Sequence, residues 1–182
     1  MKELSLNILD IAKNSVKAGA TEISILLRED DETLSIEIRD NGCGMKPDFL
    51  ASVTDPFTTT RTTRKVGMGI PLFKMESEMT GGVFHIESTH EEDDPVHHGT
   101  VIGASFMKNH LDFIPLGDVI SSVTVLIQGD DQIRWIFRHT FPDKEVALDT
   151  EELKAVLGDV PLSTPEVISW IGDYLREQYA GE

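Results

Sequence analysis

The sequence has one cysteine, Cys43, among 182 residues, which excludes an intramolecular disulfide and any cysteine cluster for zinc or iron–sulfur. Basic residues are scarce: 16 Lys and Arg stand against 32 Asp and Glu, for a formal net charge of −16. Nucleic acids and anionic membranes bind clustered cations, so neither is expected as a partner. No apolar run reaches the length that spans a bilayer, and no charged leader precedes an apolar stretch. A GxxxxGK[ST] phosphate loop is missing too. The 40% of apolar residues is ordinary and sufficient for a core. These absences leave a soluble globular protein, expected in the cytoplasm.

Hydrophobic periodicity predicts the elements. Leu4, Ile8, Ile11, Ser15 and Ala18 recur at helical spacing until Gly19. Glu22–Leu27 and Thr33–Arg39 alternate as strands about an Asp30–Glu32 turn. A short helix is expected over Lys46–Val53, a polar loop over Asp55–Lys65, and a helix from Met68 to Met79. Val83–Ser88 and Thr100–Met107 read as strands joined by the acidic turn His90–His98, itself read as solvated. Beyond Asn109, Ser121–Gln128 and Gln132–Phe141 both alternate, which predicts a hairpin through Gly129-Asp130-Asp131. Helices follow over Thr150–Leu157 and Pro165–Tyr179, with Thr164 as cap. The fold class is therefore α+β. Residues 1–107 form one domain, and residues 108–182 a small appended α+β module.

Four short segments carry the chemistry: Asp10–Thr21, Asp40–Met45, Asp55–Leu72 and Gly99–Thr100. Asp10 and Asn14 lie four apart on one helix, so both side chains emerge on one face. A carboxylate beside an amide oxygen suits Mg²⁺, although such a pair alone is equally a solvated polar face. Lys17 extends the stripe and could reach a phosphate. Asp40 precedes Gly42 and Gly44, whose missing side chains let a flat ligand approach the main chain, with Met45 closing the turn. A carboxylate there can accept from the exocyclic amine of adenine. Gly67, Met68 and Gly69 open a helix just after Arg61, Arg64 and Lys65, an arrangement that holds anions. Thr100 could bring a hydroxyl near Asp40.

Together these segments resemble the GHKL ATPase superfamily of gyrase B, Hsp90, histidine kinases and MutL. Asp10–Thr21 is similar to its N box, DNGCGM to its G1 box, Asp55–Phe57 and the following loop to the F box and ATP lid, and VGMGIPL to its G2 box. The resemblance covers about residues 4–106. It implies a two-layer α/β sandwich of the Bergerat type, with helices on one face of a mixed, mainly antiparallel sheet. It also implies ATP and Mg²⁺ as ligands, Asn14 as the magnesium-binding residue and Asp40 as the adenine-binding one. Asp10 stands where hydrolysing members carry a catalytic glutamate, and could serve as metal ligand or weak base. Pro71 replaces the last glycine of the G2 box.

Lys17 and the short lid are similar to sensor histidine kinases, and Ala18–Thr21 to the MutL type. No phosphoacceptor hairpin is expected before the N box, and none of the six histidines has such a context. The expected function is a stand-alone kinase or ATPase acting on or with a separate partner protein or phosphoacceptor. The alternative is a nucleotide-gated regulatory module with little turnover, docking its partner through residues 108–182. A homodimer stays open.

Overall fold

A computed structural model describes residues 3–55 and 68–181. The chain runs α1 (Leu4–Lys17), β1 (Glu22–Glu29), β2 (Thr33–Asp40), α2 (Pro47–Ser52), α3 (Gly69–Met79), β3 (Phe84–Thr89) and β4 (Gly99–Met107). It continues with α4 (Val119–Gly129), β5 (Arg134–Thr140), β6 (Glu145–Asp149), α5 (Thr150–Leu157) and α6 (Pro165–Ala180). The six strands form one sheet in the order β3-β4-β2-β1-β5-β6. All neighbours are antiparallel except β1 and β5, which are parallel.

Alternation along the strands decides which sheet face is covered. Ile23, Ile25 and Leu27 on β1, Leu34, Ile36 and Ile38 on β2, and Ile102, Ala104 and Phe106 on β4 are all buried. Full burial of an Ile or Leu contributes roughly 1.5–3 kcal/mol, so this face takes the helices. There α1 packs between α3 and α4, and α4 packs on α6. The opposite face carries Arg28, Glu37, Arg39, His85 and Arg138. Phe73 of α3 meets Phe106 with ring centroids 5.4 Å apart, which fixes α3 over β4.

The expected helices and strands through residue 107 match those found, and the expected loop Asp55–Lys65 lies, after Asp55, outside the described residues. Beyond residue 107, two expectations fail. The strand predicted over Ser121–Gln128, and with it the hairpin, is instead helix α4. Its buried residues are Val119, Ser122, Val123, Leu126 and Ile127, a helical stripe hidden in a β-branched run. Asp118 decides the matter by accepting from Ser121 N at 2.9 Å, an N-cap bond. The short strand β6 has no counterpart among the expected elements. Thr164 precedes Pro165 but makes no cap bond; its hydroxyl donates to Pro161 O.

Residues 108–182 join the same sheet and core through β5, β6 and α4–α6. The segment also completes α1, whose first amides have no side-chain cap. Leu4 N and Ser5 N donate to the carbonyls of Pro115 and Leu116 at 3.0 and 2.8 Å. At the far edge, Ala147 N donates to Gln178 Oε1 at 2.9 Å, and Gln178 Nε2 donates to Ala147 O at 3.0 Å.

One buried polar group sits between these parts. His139, 1% exposed, has Nδ1 2.8 Å from the Tyr179 hydroxyl and Nε2 3.2 Å from Glu29 Oε2, and stacks on Phe141. Burial holds its pKa below the ordinary value of 6.5, and Lys108 and Lys144 act in the same direction against Glu29. The unfolded chain therefore takes the proton first as pH falls. The stability His139 contributes is full above about pH 6.5 and is lost as pH drops through and below that value. Denaturant midpoints measured from pH 7.5 to 5 should fall for the natural chain and fall less for His139→Phe.

Candidate functional site

The site assembles where α1 crosses the end of β2. Along α1, Asp10 is exposed, Asn14 half-buried and Lys17 exposed, on the side away from the core residues Ile8, Ile11 and Ala12. The Asn14 Nδ2 is buried with no hydrogen-bond partner among the described residues. A buried amide left without a partner costs roughly 1–3 kcal/mol, so this N–H is a donor that an acceptor outside the described residues would satisfy. The first turn of α3 lies against this stripe: a Cβ placed on Gly69 would stand 3.1 Å from Asp10 Cβ. The structure thus brings Asp10, Asn14 and Gly69 together. Pro71, in the first turn of α3, costs that helix no hydrogen bond.

At the end of β2, both carboxylate oxygens of Asp40 are held. Oδ2 accepts from Ser15 Oγ at 2.5 Å, and Oδ1 accepts from Gly42 N at 2.9 Å. Each oxygen keeps a further lone pair, so the carboxylate remains an acceptor for an incoming amine. Ser15 is buried. It was missed by sequence reasoning, although a serine on the core stripe of a helix is itself a signal. Asn41 was missed as well: its Oδ1 accepts from the amides of Thr21 and Glu22, both at 2.9 Å, and pins the exit of α1 to the turn.

The turn at residues 41–45 is clamped from two sides. Cys43 N donates to Ala18 O at 2.9 Å on the α1 side. On the other, Glu91 N donates to Cys43 O at 2.9 Å and Met45 N donates to Ser88 Oγ at 2.8 Å. Ser88 and Thr100, opposite each other in the β3–β4 register, have hydroxyl oxygens 2.8 Å apart. Thr100 is in turn the register partner of Asp40, so the hydroxyl expected near the carboxylate is on the neighbouring strand. Gly44 has φ of +70°, and a Cβ there would fall 1.9 Å from the Thr89 carbonyl oxygen. Only glycine fits.

The acidic turn His90–His98 departs from the expected solvated loop most clearly at His98. His97 is exposed and pairs only with Asp94, but His98 is half-buried and its Nδ1 lies 2.6 Å from Gly42 O. No group of three His, Cys, Asp or Glu among the described residues could hold a metal. The sequence-predicted residues Arg61, Arg64 and Gly67, and with them the lid at residues 58–66, lie outside the described residues. No described helix is long and apolar enough to cross a membrane.

Chemically, the arrangement pairs an acceptor suited to a purine amine at one end with oxygen donors and a helix start at the other. Comparison with known proteins gives the family. Residues 2–112 match the family model described as histidine kinase-, DNA gyrase B-, and HSP90-like ATPase. Sporulation kinase A of Bacillus subtilis is 28% identical over 108 residues, covering 59% of this chain and 16% of that protein. A putative NtrY-like sensor histidine kinase of Rickettsia prowazekii is 26% identical over 93 residues, 50% of this chain and 15% of that one. The chain thus spans about a sixth of the length of these relatives. The ATPase domain of Aquifex aeolicus MutL, complexed with ADP, superposes with a TM-score of 0.53 at 13% identity, over 86% of this chain and 69% of that one. At that identity the likeness is one of fold, the expected two-layer sandwich.

Two glycines in the left-handed region give a direct test of the clamp. Gly81 has φ of +80°, and a Cβ there would meet nothing within 4 Å, so Gly81→Ala should cost only the backbone conformation, roughly 1–2 kcal/mol. Gly44→Ala adds a clash with Thr89 and should cost a further 1–3 kcal/mol or more, read as a lower thermal midpoint than Gly81→Ala.

Proposed function

The chain belongs to the histidine kinase-, DNA gyrase B- and HSP90-like ATPases, and from that premise we propose that it binds ATP with Mg²⁺ and works as a kinase or ATPase on or with a separate partner protein. The observation that carries the nucleotide reading is Asp40, held through both oxygens by Ser15 and Gly42 and directly joined to the helix of Asn14. In this reading Asp40 accepts from the adenine amine, which gives adenine preference over guanine. Gly42 and Gly44 let the turn close on Ala18 and Thr89, which fixes its shape beside the ring rather than opening space for it, and Met45 and Thr100 border the ring. Asn14, with Asp10, is the oxygen donor set suited to a hard cation. The amide oxygen of Asn14 and the carboxylate of Asp10 are the oxygen donors that would hold Mg²⁺, which when bound supplies charge neutralisation to the triphosphate.

Lys17 and the start of α3 at Met68 and Gly69 face the phosphates, with Arg61, Arg64 and Gly67 assigned the same role from sequence. Catalysis then rests on positioning and charge complementarity, with Asp10 orienting the attacking hydroxyl or water.

A specific feature favours a second reading. Asp10 is one methylene shorter than the glutamate that hydrolysing members carry there, so its carboxylate reaches less far toward an attacking water. Binding with slow turnover would make the protein a nucleotide-gated switch, its partner docked through residues 108–182.

Calorimetric titration separates these readings. Asp40→Ala should lower ATP affinity at least a hundredfold, and Asn14→Ala should remove the Mg²⁺ dependence of binding. Unchanged affinity in Asp40→Ala would sink the nucleotide assignment. Transfer of labelled γ-phosphate to a co-purified protein identifies the kinase; ATP binding with neither transfer nor phosphate release identifies the switch. Asp10→Asn separates the two roles of that residue: if it is the base, ATP binding is retained while any turnover falls about tenfold or more; if it is chiefly a metal ligand, Mg²⁺-dependent affinity falls as well.

A further inference from the structure

Three consecutive residues at the entry of β4 lie against two residues of the purine turn, Asp40 and Gly42. Thr100 is the register partner of Asp40. Gly99, at φ of +137°, lies so close to the Asp40 carbonyl that a Cβ there would stand 2.0 Å from its oxygen. His98 places Nδ1 2.6 Å from the Gly42 carbonyl oxygen. The carbonyl can only accept, so Nδ1 carries the proton, in the neutral tautomer or the imidazolium alike.

Three other main-chain groups of this turn are bound by main chain or by Ser88: Cys43 N by Ala18 O, Cys43 O by Glu91 N, Met45 N by Ser88 Oγ. Gly42 O has His98. Gly42 is also the residue whose amide holds Asp40 Oδ1, so the plane of the 42–43 peptide and the orientation of the carboxylate are linked through one residue. Lys46, 2.8 Å from Glu92, fastens the same acidic turn on its outer side.

We propose that His98 is a positioning residue for the purine. Its Nδ1–H fixes the Gly42 peptide, and through it the Asp40 carboxylate, in the orientation that receives the adenine amine. The acidic turn His90–His98 is thereby a strap over the nucleotide end of the sheet. This inference rests on the nucleotide assignment above.

The chemistry of the side chains gives a test that a merely space-filling role would not satisfy. The amide nitrogen of Asn occupies the same bonded position as Nδ1 of His, whereas that of Gln corresponds to Nε2. Calorimetric titrations with ATP and with ADP, both with Mg²⁺, are made on the full chain carrying His98→Ala, His98→Gln, His98→Asn, His97→Ala and Asp40→Ala. We expect His98→Ala and His98→Gln to bind both nucleotides about five- to twentyfold more weakly, the loss of one half-buried hydrogen bond to a carbonyl. His98→Asn should stay within about twofold of the natural chain, and so should His97→Ala. ATP and ADP should weaken by the same factor, because the contact is at the purine end. Natural affinity in His98→Ala, or an Asn variant as weak as the Ala variant, would overturn the proposal. Asp40→Ala is read independently: if it too binds normally, the nucleotide assignment has failed and not the role of His98 alone.

Discussion

The hydrogen bond from the Ser15 hydroxyl to the Asp40 carboxylate sets the spacing on which the site depends. It joins the helix that carries Asp10 and Asn14 to the strand that carries the glycine turn. Ser15 is buried, so the bond works in a medium of low dielectric where it is strong when made and costly when lost. The helix cannot slide: its start is bonded to Pro115 and Leu116, and its end to the turn through Ala18 O. Two halves of the proposed nucleotide pocket are therefore held in one fixed relation.

The C-terminal part of the chain takes a larger share in this than a sequence match suggests. The family model ends at residue 112, yet the first amides of α1 are satisfied by carbonyls at 115 and 116, and Ser122 Oγ donates to Ser5 O. Strand β5 lies beside β1, and Arg134 at its start ties Glu22 to Asp149 and Glu151. The likeness in fold to the MutL ATPase domain likewise runs over 86% of the chain. Residues 108–182 complete the helix on which the candidate ligands stand.

Much of this was legible in the residues. Period-two alternation in Thr33–Arg39 and helical spacing in Leu4–Ala18 gave the right elements, because each buries one clean face. The pairing of Asp40 with glycines and of Asp10 with Asn14 pointed to one corner of the fold, where β2 ends beside α1. Two kinds of information stayed hidden. In residues 119–129 the β-branched run fits strand and helix equally, and the decision falls to a single capping bond from Asp118. Ser15, Ser88, Asn41 and His98 act through partners 12 to 56 residues away. Spacing along a chain reports which residues share an element; it does not report which distant carbonyl a serine or histidine will meet.

The contact between Gln178 and Ala147 has a consequence for how the molecule behaves in company. Strand β6 is the last of the sheet, and an outer strand normally offers bare peptide groups to any passing chain. A glutamine amide carries one carbonyl and one NH₂, the same pair of functions as a peptide bond. By bonding both groups of Ala147 it acts as a counterfeit neighbour, one residue long, at the middle of a five-residue strand. Another molecule seeking to extend the sheet would have to displace it. The fold thus closes one of its own edges against filament growth with a side chain supplied by its last helix.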